Sequence, residues 1–531
     1  MNRMIESEDG AWKKIVGKLS NRQMAPFGQL LNMFSDAAEA RLHYQQAQSI
    51  SAGLLFVDNE TVVGAVLYRN EGGHIVLVST LAWKSVDRLT LFEQLLTYFS
   101  KHRVKTLQMK VAPNQANSPL LDGFERVDEL TYRRTFSYPV ALVLGGGGAH
   151  GAFEAGVFDV LKSRGIIPNE VLGVSVGSIN AMSFMHLDST ISHATWDTLT
   201  TDVVYEVPEV GVSRVDFSKT VATHLVGRHY FEKESLRQLI YPVVAHELAT
   251  PRIAEMTLVA TELPLLRPAS FSVTDETTVD ELTDWILASS AFYPVVSPVM
   301  INGKQYIDGG YSNNLPINIA ADHGAKEIYA VSIMDGVPED WTRPDDAVVH
   351  YIRTPWQFGP LLDFFPDLSG EYVTLGEIRT KQVLGELGGY YYALPADVDV
   401  SWLGGVQLVK WLATDPVTAP IANALTELPV WLAWQQWLAR DIDPDATGDE
   451  AGQGLATIER LARLLAVDKL QEYDLTTFVA AIVAAGRTNR QALPTPTHHL
   501  TRTYILANLD VVLTGVLYLL SKSEKTSRIS K

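Results

Sequence analysis

The sequence predicts an α/β protein built on a mostly parallel sheet flanked by helices. An N-terminal α/β unit precedes that sheet and a helical region follows it. Three observations carry the expectation. From Tyr138 onward, short apolar runs alternate with stretches of helical spacing, the pattern of a sheet covered on both faces. Glycines crowd the strand-to-helix joints, in GGGGAHG at 145–151 and GVSVGS at 173–178. Beyond residue 395 the strand pattern stops, and tryptophan and proline accumulate between helical stretches.

At 531 residues the chain is long enough for several domains, and 47% apolar residues suffice for large cores. The expected boundaries are 1–137, 138–395 and 396–531. A net charge of −18 opposes nucleic-acid binding and unaided attraction to anionic membranes. There is no cysteine, so disulfides, thiolate metal sites and cysteine nucleophiles are excluded. The opening MNRMIESEDGAWKK lacks the apolar core of a signal peptide, and a cytoplasmic protein is expected.

In the N-terminal unit, LLFVD and NETVVGAVLYRN predict a hairpin turning at Asp58-Asn59, and HIVLVSTLA a further strand. VDRLTLFEQLLTYFSKH has helical spacing, with Leu89, Phe92, Leu95, Leu96 and Phe99 on one side. TLQMKVAP is another strand, and LDGFERVDELTYRRTFS closes the unit with a turn and a last strand. This order resembles the acetyl-CoA-dependent N-acetyltransferase fold over about a quarter of the chain. That family grips the cofactor pyrophosphate with a glycine-bearing loop at the start of its central helix. WKSVDRLTLF stands there instead, without glycine, and Leu89, Leu91 and Phe92 block close backbone approach. The resemblance therefore implies a scaffold or sensor without transferase activity.

In the second unit PVALVLG reads as a buried strand and AHGAFEAGVFDVLKSRG as a helix stopped at Gly165. VLGVSVGSINAM reads as strand, turn and helix, and MTLVATEL and EIYAVSIM as later strands. The C-terminal region holds Trp402, Trp411, Trp431, Trp434 and Trp437, with Pro416, Pro420 and Pro429 between helices. These indoles suit either core packing or a lipid interface. DIDPDATGDEAGQG, 441–454, reads as an acidic linker before the helices LATIERLARLLAV and LTTFVAAIVAAG. Tyr504 to Leu520 is short of a membrane span and carries Asn508 and Asp510. It is expected to be a buried helix; the alternative is a membrane-surface helix anchored by the basic tail KSEKTSRISK.

Four consecutive glycines, Gly145 to Gly148, need a reason, because each weakens a regular element. Bare backbone serves to cradle a phosphate or to hold an oxyanion. Gly146 to Gly151 fits the dinucleotide fingerprint G-x-G-x-x-G, but the next strand ends in GVSVGS rather than in the acidic residue that would hold a ribose. GVSVGS is G-x-S-x-G. Gly173 and Gly177 leave room for a tight turn that lifts the Ser175 hydroxyl clear of the sheet. That hydroxyl needs a base. Asp308, before Gly309 and Gly310, either ends a strand with its carboxylate projecting or makes a plain Asp-Gly turn.

The glycine loop, the G-x-S-x-G and the Asp-Gly-Gly, in that order on an α/β pattern, resemble the patatin-like phospholipase family over about 139–345. ASSAFYPVVSPV and NNLPI agree further. The resemblance implies a Ser-Asp dyad, in which Ser175 attacks an ester carbonyl and Asp308 takes its proton. Amides of Gly146, Gly147 and Gly148 would hold the oxyanion. His150 stands where the family usually has Arg or Lys; it and Gly151, Gly173, Gly177, Gly309 and Gly310 support the motifs. Asn180, Asn314 and Pro316 also match and are assigned packing or turn roles. The rival Ser-His-Asp triad would draw on His323, His350, His498 or His499. The implied substrate is a lipid or acyl ester, with no cofactor, metal or nucleic acid, and with peripheral membrane contact through the C-terminal helices. Two other readings stay open. One is a catalytically weak lipid- or partner-sensing scaffold; the other is a nucleotide binder.

Overall fold

Short strand-forming runs near the N-terminus pair into an antiparallel sheet in the computed structural model. The structure describes residues 3–6, 28–29, 52–58, 61–71, 74–82, 88–101, 104–113, 116–201, 204, 234–334, 344, 347–441, 449–489 and 500–523. The chain divides into two compact units, Met1–Tyr138 and Pro139–Lys531.

In the first unit the strands are β1 (Arg3–Glu6), β2 (Gly28–Gln29), β3 (Ala52–Asp58), β4 (Thr61–Glu71), β5 (His74–Ala82), β6 (Thr106–Lys110), β7 (Glu125–Arg126) and β8 (Thr131–Thr135). Their order is β1-β3-β4-β5-β6-β8-β7, with β2 against β5, and only β5 and β6 are parallel. Helix α1 (Arg88–Lys101) joins that parallel pair, as a crossover must. Phe92, Leu95 and Phe99 of α1 are buried in this unit's core against Leu54, Val66 and Leu107. The register joins Asp58 to Thr61, so β3 and β4 form the expected hairpin. Asn59, the segment 83–87 and the Leu89 and Leu91 side chains lie outside the described residues.

The second unit follows the sequence β9 (Val140–Leu144), α2 (Ala152–Ser163), β10 (Glu170–Val174), α3 (Val176–Phe184), α4 (Thr190–Trp196), α5 (Glu234–Ala249), β11 (Glu255–Glu262), β12 (Arg267–Ser272), α6 (Val279–Ser289), β13 (Val299–Ile301), β14 (Lys304–Asp308), α7 (Ile317–Asp322), β15 (Glu327–Val331), β16 (Val348–Ile352) and α8 (Pro366–Val383). Strands β11, β10, β9, β15 and β16 are mutually parallel; β12, β13 and β14 add an antiparallel edge. Alternation along β9 sends Leu142 and Leu144 into the larger core and Ala141 and Val143 into a smaller one with Ile317 and Ala320 of α7. Helices therefore cover both faces, as the alternating pattern predicted. On the larger face α2 and α8 cross backbone to backbone. A Cβ added at Gly156 would lie 2.0 Å from the Val373 carbonyl oxygen, and one at Gly376 would lie 2.1 Å from that of Phe153.

After Gly388 the chain is almost wholly helical: α9 (Gly405–Leu412), α10 (Ala419–Leu425), α11 (Leu428–Leu438), α12 (Glu450–Leu464), α13 (Leu475–Thr488), α14 (Arg502–Ala507) and α15 (Asp510–Ser523). These helices share a separate core around Trp434, Leu461, Phe478 and Val512. Trp434 is fully buried in it, whereas Trp402, Trp411, Trp431 and Trp437 pack half-buried against it. The stretch 504–520 is two helices rather than one, and Val511, Val512, Leu513, Val516 and Leu520 are buried. Among the described residues no helix is long and apolar enough to cross a membrane. Residues 442–448 of the acidic linker, His498, His499 and the tail beyond Ser523 lie outside the described residues.

Candidate active site

Strand β11 acts as a ruler for the site. One edge, from Thr257 to Glu262, is paired with β12. The other edge is shared by two strands that meet end to end. Parallel β10 holds it as far as Val174 opposite Val259, and antiparallel β14 takes over at Asp308 opposite Ala260. Ser175 follows Val174 directly, so two residues far apart in sequence become neighbours at one break in the sheet. Both line one cavity, and the Ser175 side chain acts on the Asp308 carboxyl, lowering its proton affinity. The separation of the motifs in sequence gave no hint of this shared edge.

Ser175 turns with φ 53° and ψ −126°, a conformation an L-residue adopts only under constraint. The constraint is visible. Its N–H donates to Ser289 Oγ at 2.9 Å, and Ser289 in turn donates to the Val259 carbonyl at 2.7 Å. Its carbonyl accepts from Ser178 Oγ at 2.6 Å. Gly173 and Gly177 are the close contacts of the turn: a Cβ on Gly173 would lie 2.4 Å from the Gly177 carbonyl oxygen, and one on Gly177 would lie 2.5 Å from that of Leu144. The turn aims the N-terminus of α3 at the serine, which favours negative charge there.

Asp308 ends β14 as expected, and it also makes the Asp-Gly turn: its Oδ1 accepts from the Gly310 N–H at 2.8 Å. The two readings of this motif are one structure. Its N–H donates to the Ala291 carbonyl, and its own carbonyl accepts from Thr261 Oγ1 at 2.8 Å. Gly309 packs on the Val259 carbonyl, where a Cβ would approach to 2.2 Å. Burial pushes the Asp308 carboxyl up from 3.8 to about 6, against the lowering effect of the bonds from Ser175 and Gly310.

The glycine loop lies at the same end of the sheet. Gly146, Gly147 and Gly148 line one cavity with Ser175 and Asp308. Their N–H groups do not act alike. Gly146, expected among the oxyanion donors, gives its N–H to Asn314 Oδ1 at 3.1 Å, while Asn314 Nδ2 donates to the Gly146 carbonyl at 3.2 Å. That amide-to-amide clamp uses the Gly146 donor and fixes the loop beside the elbow. A Cβ on Gly146 would lie 2.6 Å from Asn314 Oδ1 and 2.9 Å from Ser175 Cβ, so close approach requires glycine here. Gly148 has φ +53° and lies against the Leu361 carbonyl, and Ala149 N–H donates to that carbonyl at 2.8 Å. The chain passes through a single tight turn, Gly148–Gly151, before α2 begins at Ala152, three residues later than the helix expected near Ala149. The left-handed Gly148 delays the α-helix. Gly151 packs on Val176 and Trp196.

His150 is buried, and both ring nitrogens face backbone carbonyls. Nδ1 lies 2.9 Å from the Ile333 carbonyl oxygen and Nε2 lies 2.8 Å from that of Gly359. A carbonyl oxygen only accepts, so the ring donates to these carbonyls rather than accepting from them. The ring stacks on Phe358 and meets the edge of Tyr372, whose hydroxyl accepts from the Gly359 N–H. His150 thus ties the glycine loop to the ends of two neighbouring segments.

Behind the elbow, Asn180 fills all its bonding positions. Nδ2 donates to the Gly151 carbonyl and to Glu154 Oε2; Oδ1 accepts from Ser192 Oγ and Trp196 Nε1. This buried knot joins α2, α3 and α4, and burial raises the Glu154 carboxyl well above the usual range. Sequence matching gave Asn180 and Asn314 packing roles. Their value as clamps appears only once the backbone groups they hold are in place.

The two described triad candidates sit elsewhere. His323 pairs with Glu170 at 2.8 Å and His350 with Glu327 at 3.1 Å. Both glutamates open their strands, β10 and β15, whereas Ser175 follows the end of β10. The strand length separates these histidines from the serine.

The cavity has a volume of about 310 Å³. Beyond Ser175 its walls are apolar: Ile179, Met182, Ile191, Leu199, Leu236 and Val243 line it.

A strained elbow serine, a buried carboxylate and a glycine loop at one end of a mostly parallel sheet define an α/β protein organised around a strand-to-helix turn. Residues 142–321 form a patatin-like phospholipase domain. The lysophospholipase NTE1 of Mycosarcoma maydis is 25% identical over 275 residues, which cover 49% of this chain and 13% of that protein. The patatin-like phospholipase domain-containing protein 7 of Rattus norvegicus is 26% identical over 246 residues, 46% of this chain and 17% of its own length. The chain thus spans less than a fifth of either relative. Among solved structures, VipD from Legionella pneumophila is similar at 13% identity and a TM-score of 0.27, over 77% of this chain and 95% of that one.

Proposed function

We propose that the chain is a lipid acyl hydrolase in which Ser175 is the nucleophile and Asp308 the base. The observation that carries this reading is the meeting of Ser175 and the buried Asp308 at one break in the sheet, both at the wall of an apolar cavity. In the reaction Ser175 Oγ bonds to the ester carbonyl carbon while its proton passes to the Asp308 carboxylate. The carbonyl electron pair moves onto oxygen. The N–H groups of Gly147 and Gly148, which carry no hydrogen bond among the described residues, are the donors for that oxyanion; each such donor is typically worth about 3 kcal/mol. Collapse breaks the ester C–O bond, and the leaving alcohol takes the proton from Asp308. Water then attacks the acyl-serine and gives its proton to Asp308; collapse breaks the acyl–Oγ bond, Ser175 Oγ takes that proton from Asp308, and the fatty acid leaves with both groups restored.

An Asp base suits this cycle because burial brings its proton affinity nearer neutrality than that of an exposed carboxylate. The apolar walls suit a fatty acyl chain. His150, tied by two carbonyls, is read as the brace that holds the glycine loop where the family usually has a longer cation. The first unit is read as an acetyltransferase-like scaffold without transferase activity. Ser175→Ala tests the central reading. It should abolish turnover of a water-soluble fatty-acyl ester while leaving the thermal unfolding transition in place; undiminished turnover would refute it.

A further inference from the structure

Two hairpin tips extend past Asp308 at the Ser175 end of the sheet. The turn between β11 and β12 is Leu263 to Leu266, and Leu265 and Leu266 are 64% and 53% exposed. The turn between β13 and β14 is Asn302-Gly303, and Met300 beside it is 57% exposed. The pairing sets the tips side by side. Leu263 N–H donates to the Gln305 carbonyl at 2.8 Å, and Met300 is the register partner of Gln305. Met300 is thus two strand spacings, about 10 Å, from Leu263. On the same end, Tyr311 lines the cavity and donates its hydroxyl to the Tyr293 carbonyl; both rings are exposed.

Single exposed apolar residues need no explanation, but these share one end of the sheet with the cavity. Leu266 also holds φ +50°, where glycine or asparagine is the cheaper choice. Charge at the tips differs from that of the whole chain. Arg267 and Lys304 stand at their bases, and Glu262, the one acidic residue in 262–268 and 299–307, is held by Lys304 at 2.9 Å. The tips carry a local net positive charge in a chain of net −18.

We propose that these two tips are the surface by which the chain docks on a phospholipid bilayer, with Leu265, Leu266 and Met300 entering the apolar layer and Arg267 and Lys304 meeting headgroup phosphates. The inference rests on the lipid-ester reading of the site. It places the Ser175 end of the sheet, where exposed Tyr311 lines the cavity, against the layer that holds the substrate, which shortens the path of an acyl chain from bilayer to cavity. The overall negative charge makes apolar insertion the main attraction.

The test uses the full chain carrying Ser175→Ala, so that vesicles stay intact, with phosphatidylcholine vesicles containing a minor share of phosphatidylglycerol. Leu265→Ser with Leu266→Ser should lower the vesicle partition coefficient about tenfold. Met300→Ser, on the other hairpin, should lower it in the same direction by about threefold. On the wild-type background both variants should hydrolyse a water-soluble short-chain ester at the parent rate. Leu428→Ser with Leu432→Ser, on the exposed face of α11, should leave partitioning unchanged. Parent-like partitioning of both tip variants overturns the proposal, as does loss confined to the α11 variant. A parent dimer that the tip variant converts to monomer also overturns it, because the tips are then a protein interface. Ester turnover by the parent with normal binding by the tip variants defeats the docking alone. Vesicle binding by a parent without any ester turnover defeats the hydrolase reading alone.

Discussion

Replacing Asp308 by asparagine should make the protein more stable and nearly inactive, and the gain should depend on pH in a calculable way. The carboxyl is buried, and its proton affinity rises from 3.8 to about 6 on folding. Between those values the folded chain binds more protons than the unfolded one, so stability falls as pH rises through the window. Above pH 6 the wild type bears the whole cost of an ionised buried group, about 3 kcal/mol at 1.36 kcal/mol per pKa unit. At pH 5 about half of it applies. Asparagine keeps an oxygen for the Gly310 N–H and an amide facing Ser175, without the charge. Urea unfolding at pH 8 and pH 5 should therefore show Asp308→Asn ahead of wild type by up to about 3 kcal/mol at pH 8 and by roughly half as much at pH 5. Turnover should fall by about two to four orders of magnitude. Wild-type kcat/KM should decline below pH about 6, as the base takes up its proton. A stability difference that is negative or independent of pH would refute the assignment of a buried, ionisable base.

Other outcomes follow from the same geometry. Asn314→Ala removes the clamp on Gly146, so kcat for a soluble ester should drop at least about tenfold with little change in Tm. Gly146→Ala drives a Cβ to 2.9 Å from Ser175 Cβ and should cut kcat about a hundredfold or more. Gly156→Ala forces α2 from α8 and should cost about 1–3 kcal/mol or more in urea unfolding. His150→Ala removes the ring's contacts with two carbonyls and strands at least one acceptor, at about 1–3 kcal/mol, and should lower Tm and activity together.

Much of this site was legible in the sequence because its parts are local. The turn at Ser175 needs glycine two residues to each side, and Asp308 needs the following amides, so each motif carries its own conformation. The parallel sheet was legible from uninterrupted runs such as ALVL and VLGV, buried on both faces. Relations between distant segments were not. Gly146 and Asn314 are 168 residues apart, and no local pattern marks that asparagine as a clamp. The use of the Gly146 donor followed from this contact and moved the proposed oxyanion donors to Gly147 and Gly148. Ser289 looks like one more small residue near a helix end, yet it bridges Ser175 to β11. Gly156 and Gly376 read as helix-weakening residues until the crossing of α2 and α8 explains both. The C-terminal tryptophans left core and interface equally open, and packing buried one fully and four in part.

The most direct test is the rate at which a fluorophosphonate labels the chain, read by intact mass and peptide mapping. One adduct on Ser175 is predicted, formed at least about a hundredfold more slowly in Asp308→Asn. Labelling at another residue, or at an equal rate in both proteins, would contradict a serine activated by that carboxylate.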